Sequence, residues 1–151
     1  MRSERDTGMN TLEELYRMSI EDLKIDMDNL SAESVNTPYI YDKYLKLYTT
    51  FGLDQKRLEK KYDAVYKDRW EYYMGKSDPE VYARSPKGKK ILKGDIHMYL
   101  KADDELQTIE LELEYGKQRV EYLNKTLKNI QERNWAIKNA IAWEQFKNGI
   151  V

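Results

Sequence analysis

Between Thr37-Pro38 and Gly75 the chain carries one helical pattern, and its length limits what the protein can be. Threonine followed by proline is a start signal: the hydroxyl caps free N–H groups and the ring presets φ at the first helical position. Glycine past the last periodic residue is a stop signal. Tyr41, Tyr44, Tyr48, Phe51, Gln55, Leu58, Tyr62, Val65, Arg69 and Tyr72 recur in steps of three and four, a heptad-like seam broken only at Gln55 and Arg69. Gly52 weakens such a helix by about 1 kcal/mol without ending it. The 37 residues from Pro38 to Met74 would span roughly 55 Å as a helix. A compact chain of 151 residues has a radius of gyration of only about 15 Å. A molecule built on this helix is elongated or oligomeric.

A second long pattern runs from Asp103 to about Lys147. Leu106, Ile109, Leu113, Gly116, Val120, Leu123, Leu127, Ile130, Asn134, Ile137 and Ile141 keep the same rhythm, broken at Gly116 and Asn134. Ile109 to Tyr115 also alternates apolar with Glu, as a strand would, but Glu and Leu favour helix and the register runs through without a slip. Asn134, polar at a seam position, is a candidate for setting register or oligomer number. Beyond it, Trp135, Ile137, Ile141, Trp143 and Phe146, with interspersed alanines, cover most of the helix circumference. Burial on nearly all sides calls for a second copy, so this stretch is a candidate oligomerisation element. Shorter helices are predicted at Pro79–Ala83, after Asp78-Pro79, and near Ile91–Met98 with Asp95 as cap. The predicted fold class is all-α: an elongated protomer with two long helices and a C-terminal oligomerisation helix. Charged residues at 35% and apolar ones at 40% suit long solvated helices better than a thick core.

Charge is distributed unevenly. Residues 1–36 carry nine acidic and four basic side chains, net −5. The first ten are too polar to pack, and disorder is expected there. Leu12, Leu15, Tyr16, Met18, Ile20, Leu23 and Met27 suit a short amphipathic helix, with Ser19 and Asp22 as a start signal for a second piece. Such a segment either covers the protein's own core, the favoured reading, or docks on a basic partner. From Lys56 to Lys93 twelve basic residues face six acidic ones, net +6. Three stretches follow: an acidic segment 1–36, a region 37–94 with the long helix and a basic loop, and a region 95–151 with the second helix and the apolar end.

Inside the basic region lies Tyr66-Lys67-Asp68-Arg69-Trp70-Glu71-Tyr72-Tyr73-Met74-Gly75. A cation neutralises a phosphate and an aromatic face stacks on a base, so this composition suits single-stranded nucleic acid. Lys67, Arg69, Tyr66, Trp70 and Tyr73 are the candidates, joined by Lys76 and by Lys87, Lys89, Lys90 and Lys93 of the loop that Pro86, Gly88 and Gly94 keep irregular. Lys67 falls off the seam, whereas Val65, Arg69 and Tyr72 fall on it. The competing reading is a packing surface of aromatics beside a merely solvated loop.

Much chemistry is absent from the sequence. No cysteine and one histidine, His97, leave no thiolate, disulfide or His-based metal site. No Walker or Rossmann glycine pattern occurs, nor a Ser/His/Asp arrangement. The chain reads as a binding protein without cofactor or metal, not an enzyme. With no run of 18 apolar residues and a polar start, a cytoplasmic location off the membrane is expected. Two classes of function remain: a single-strand-binding protein, or a structural helical adaptor such as an assembly chaperone with no nucleic-acid binding.

The stretch Lys67–Gly75, followed by Ile91-Leu92, Lys101-Ala102-Asp103, Ala136-Ile137-Lys138 and Phe146 in that order, resembles the UvsY family of recombination mediator proteins of T4-like bacteriophages. The resemblance spans roughly Ile20 to Gly149, with gaps before Thr37. It implies a non-catalytic homo-oligomeric ring in the cytoplasm of the host cell, acting in DNA recombination and repair. Its partners would be single-stranded DNA, a single-strand-binding protein whose hold it weakens, and a RecA-type recombinase whose filament it helps assemble. The family's two DNA-binding cations correspond to Lys67 and Arg69. Tyr66 and Asp68 stand where the family has Leu and Ala: the tyrosine adds a stacking surface, and the aspartate shifts phosphate binding toward the lysines of the loop.

Overall fold

A computed structural model describes residues 11–84 and 91–150. Its helices, in chain order, are α1 (Leu12–Leu23), α2 (Leu30–Tyr73), α3 (Pro79–Arg84), α4 (Ile96–Lys101) and α5 (Asp104–Lys147). Among the described residues there is no strand, and Ile109–Tyr115 lies inside α5. The first ten residues and Lys87, Lys89 and Lys90 of the basic loop lie outside the described residues. Two compact units are present, one from the described parts of Met1–Thr49 and Arg119–Val151, the other from those of Thr50–Gln118. The first joins two stretches far apart in sequence, and the second is continuous, whereas the charge pattern divides the chain into three consecutive segments.

In the first unit α1 is one helix, not two. Thr11 caps it through a reciprocal pair of bonds: its hydroxyl accepts from the Glu14 amide at 3.2 Å, and its amide donates to Glu14 Oε2 at 2.8 Å. Ser19 starts nothing. It sits mid-helix, its hydroxyl donating to the Tyr16 carbonyl at 3.0 Å and hydrogen-bonded to the Tyr122 hydroxyl. Asp22 instead takes Lys43 Nζ at 2.7 Å and the hydroxyl of fully buried Tyr44 at 2.9 Å. Burial first, then that carboxylate, pushes the Tyr44 phenol well above its ordinary range. Leu15, Ile40, Tyr44, Leu123, Leu127, Ile130 and Ile137 are buried.

The start of α2 differs from the Thr37-Pro38 expectation. Helix begins at Leu30, and Pro38 lies inside it. Proline supplies no N–H to the preceding turn, and local polar groups consolidate that turn. Thr37 Oγ1 donates to the Glu33 carbonyl at 3.1 Å, and Arg133 Nη1 donates to that carbonyl and to Thr37 Oγ1, each at 2.8 Å. Arg133 Nη2 reaches the Lys24 carbonyl at 3.0 Å and pairs with the Glu33 carboxylate. A buried arginine thus fastens the end of α1 to the start of α2 from within α5. Its position also corrects the seam of α5. After Ile130 the buried positions are Arg133 and Ile137, and Asn134 is exposed.

In the second unit the α2 seam runs as its periodicity predicts, through Phe51, Gln55, Leu58, Tyr62, Val65, Arg69 and Tyr72. Leu106, Ile109, Leu113 and Gly116 form the corresponding face of α5. Two irregularities of the sequence, Gln55 and Gly116, meet each other. Gln55 Nε2 donates to the Leu113 carbonyl at 3.0 Å, and a Cβ on residue 116 would collide with Gln55 Oε1. Glycine here makes room for a buried amide. Ile96, Leu100 and Leu106 form a cluster on which Tyr62, Val65, Tyr73, Met74 and Ile91 pack.

Candidate nucleic-acid interface

The basic-aromatic stretch occupies the last turns of α2, and the helix end itself shapes it. Gly75 takes a left-handed φ of 75°. Its amide donates to the Tyr72 carbonyl at 3.1 Å, and the Lys76 amide donates to the Glu71 carbonyl at 2.9 Å. This pair of bonds is a Schellman stop. The reversal carries Lys76 back over α2, with its ammonium 5.0 Å from the Trp70 ring centre. Helix α3 then closes on the same end. Tyr82 stacks on Tyr72 at 5.3 Å, and its hydroxyl donates to the Tyr72 carbonyl at 2.8 Å.

Tyr66, Lys67 and Trp70 remain exposed on the last turns of α2. Tyr66 and Trp70 are partly exposed and one turn apart, with Tyr62 a turn earlier at 6.1 Å from Tyr66. Lys67 is 73% exposed and tied only loosely to Glu71, at 3.8 Å. An exposed pair of this kind holds a lysine by a few tenths of a kcal/mol, about what any i,i+4 pair is worth. Lys93 is exposed in the turn before α4.

Two other candidates, Arg69 and Tyr73, turn inward. Arg69 Nε donates to Asp103 Oδ2 at 2.7 Å, and the Tyr73 hydroxyl donates to the same oxygen at 2.6 Å. The guanidinium lies 4.4 Å from the Tyr72 ring centre and 5.2 Å from that of Tyr73. Asp103 Oδ1 meanwhile accepts from the Leu106 amide at 3.1 Å, capping α5. Burial pushes the Asp103 carboxyl up, but bonds from the Tyr73 hydroxyl, the Leu106 amide and the Arg69 guanidinium hold it below its ordinary value. Burial and the Asp103 carboxylate raise the Tyr73 phenol. Tyr73 also packs against Tyr72 and Tyr99, at 5.2 and 5.8 Å. Both the Tyr73 ring and the Arg69 guanidinium are thus engaged by neighbours within the protomer.

The cleft beside Arg69 is acidic. Asp68, Glu71, Asp78 and Glu105 line it together with Arg69 and Lys76. Four carboxylates against two cations oppose the entry of a phosphate.

The apolar C-terminal candidates divide in a similar way. Trp135, Ile141, Trp143 and Phe146 are exposed, and Trp143 stacks on Phe146 at 5.6 Å. Ile137 is different: at 1% exposure it belongs to the protomer's own core. All five lie on α5.

Sequence reasoning did not single out Arg133, and it gave Asp22 and Asp103 no tertiary partner. For Asp103 a cap signal was available, an Asp just ahead of the periodic run. Nothing in the sequence pairs it with a residue 34 positions away. Among the described residues no helix is long and apolar enough to cross a membrane.

The model of one protein family, described as "Recombination, repair and ssDNA binding protein UvsY", matches residues 18–150. The recombination protein uvsY of Enterobacteria phage T4 is 25% identical over 138 residues, covering 91% of this chain and 98% of that protein. Crystal structures of the bacteriophage T4 recombination mediator protein UvsY share the fold. Lattice type II matches with a TM-score of 0.77 at 23% identity, over 91% of this chain and 97% of that one. Lattice type IV matches with a TM-score of 0.77 at 24% identity, over 90% and 98%.

Proposed function

The chain belongs to the UvsY family of recombination, repair and single-stranded-DNA-binding proteins, and from that premise we propose that it acts as a recombination mediator. It binds single-stranded DNA, loosens the hold of a single-strand-binding protein and helps a RecA-type recombinase assemble in its place. The observation that carries this reading is the outer face of the last turns of α2. There an exposed lysine, Lys67, stands beside the partly exposed rings of Tyr66 and Trp70. An ammonium on a phosphate releases counterions, and each ring that stacks on a base contributes about 1–3 kcal/mol whatever the base. Such a site suits a strand of any sequence.

One such site is weak. Self-association multiplies it along a single strand, because every contact after the first is intramolecular. Exposed Trp135, Ile141, Trp143 and Phe146 support a homo-oligomer, and a ring is the closed form of a head-to-tail contact. The family is described by binding rather than by a reaction, and the role proposed here needs no catalysis.

Fluorescence anisotropy with a labelled single-stranded oligonucleotide at two salt concentrations tests the reading. Affinity is expected to fall steeply with salt, and Lys67→Ala to weaken binding and flatten that dependence. Absence of binding at low salt would return the protein to the class of helical adaptors.

A further inference from the structure

We propose that Asp103 is a positioning residue for single-strand binding, holding Arg69 and Tyr73 inward so that Lys67 alone of the two motif cations meets phosphate. This rests on the strand-binding reading above and sharpens which atoms serve it. One carboxylate makes three bonds at the junction of two helices. Oδ2 takes Arg69 Nε at 2.7 Å and the Tyr73 hydroxyl at 2.6 Å, while Oδ1 takes the Leu106 amide at 3.1 Å. The side chain is 3% exposed, so strong hydrogen bonds and an opposite charge are what keep it ionised there. These bonds fasten the last two turns of α2 to the first turn of α5.

The consequence for charge is a division of labour. Arg69 is 23% exposed and sandwiched against Tyr72 and Tyr73, with its charge matched by Asp103. The cleft on which it borders carries Asp68, Glu71, Asp78 and Glu105. A phosphate approaching there meets net negative charge. Lys67, two residues earlier, points to the opposite outcome: 73% exposed, with the Glu71 carboxylate 3.8 Å away. The acidic residue is thereby as much a part of the binding design as the lysine. It neutralises one cation and leaves the other to the strand.

The test measures single-strand affinity of the full chain against salt, for wild type, Lys67→Ala, Arg69→Gln, Asp103→Asn and the Asp103→Asn/Arg69→Gln double variant. Asparagine keeps the cap, because its carbonyl still accepts from the Leu106 amide, but it cannot match the guanidinium's charge. Lys67→Ala should flatten the slope of log affinity against log salt by about 0.7 for each subunit on the strand. Arg69→Gln should leave that slope at the wild-type value. Asp103→Asn should steepen it by about 0.7 per subunit, since Arg69 is no longer held beside the acidic cleft and its long side chain can turn outward to a phosphate, and the double variant should restore it. A purely architectural Asp103 would change stability and leave the slope alone.

Flattening by Arg69→Gln as large as that by Lys67→Ala would overturn the proposal, as would an unchanged slope in Asp103→Asn with intact helix content by circular dichroism. If Asp103→Asn loses its helix content, the comparison of Arg69→Gln with Lys67→Ala decides. Wild type without salt-dependent binding would remove the strand-binding reading itself, a result visible before any variant is made.

Discussion

Arg69 Nε and Asp103 Oδ2 lie 2.7 Å apart, joining the end of the basic-aromatic helix to the start of the helix that follows it. The residue that reads in the sequence as a cation misplaced on an apolar seam is there because a carboxylate awaits it. Charge on a buried stripe is tolerated when it is paired and hydrogen-bonded, and here it is both.

Loss of the carboxylate should destabilise the fold in a pH-dependent way. Asp103→Ala removes a cap and the acceptor of two partly buried donors, an effect of about 2–4 kcal/mol by urea unfolding near neutral pH. In the folded protein the carboxyl titrates below the ordinary 3.8. The unfolded chain therefore binds this proton more readily, so the stabilisation is complete above the ordinary value. It disappears as pH falls through the lower folded one. The gap in urea midpoint between wild type and Asp103→Asn should be full at about pH 6 and shrink below about pH 4.

At residue 116 helix propensity and packing act in opposite directions. Alanine would favour the helix by about 1 kcal/mol, but its methyl displaces Gln55 from the Leu113 carbonyl and strands a buried amide, which costs about 1–3 kcal/mol. Gly116→Ala should come out destabilised on balance. Gln55→Leu should relieve it, so a double-mutant cycle in urea is expected to show coupling of about 1 kcal/mol or more.

Arg133 offers a larger effect. Its side chain is 3% exposed and bonds two main-chain carbonyls, a hydroxyl and a carboxylate. Arg133→Ala leaves those acceptors buried and poorly partnered, so a loss of about 3–5 kcal/mol is expected in thermal or urea unfolding. Arg133→Met, which fills the volume without the bonds, should recover little of it, since the Glu33 carboxylate stays unpaired.

The C-terminal residues should separate into two kinds. Trp135→Ser, Trp143→Ser and Phe146→Ser alter exposed positions and should change protomer stability by less than about 1 kcal/mol. If the proposed self-association is right, the three together lower the molar mass measured by light scattering. Ile137→Ala should instead cost about 2–4 kcal/mol, as a core truncation does. Point variants serve better than a chain ending near Gln131, which would also remove Arg133 and Ile137 from the core.

What the sequence determined by itself was periodic. The seams of α2 and of α5 up to Ile130, the glycine that ends α2 and the helical character of Ile109–Tyr115 all follow from side chains a few positions apart, whose neighbours are set by helix geometry alone. Asp95 stands at the start of α4 but makes no side-chain capping bond there. The basic-aromatic stretch was legible for the same reason, as was the off-seam position of Lys67. Tertiary structure decided what meets what. Gln55 bonds a carbonyl 58 residues on, Arg69 a carboxylate 34 residues on and Arg133 a carbonyl 100 residues back. Proline stands inside α2, where its local chemistry reads as a start, because packed polar groups consolidate the turn before it. Ser19 and Asp22, which look like a helix start, face partners on other helices instead. Local pattern sets which face of a helix is buried, but the partner of a buried polar group is known only once two distant faces are in contact, because its cost or gain depends wholly on that partner.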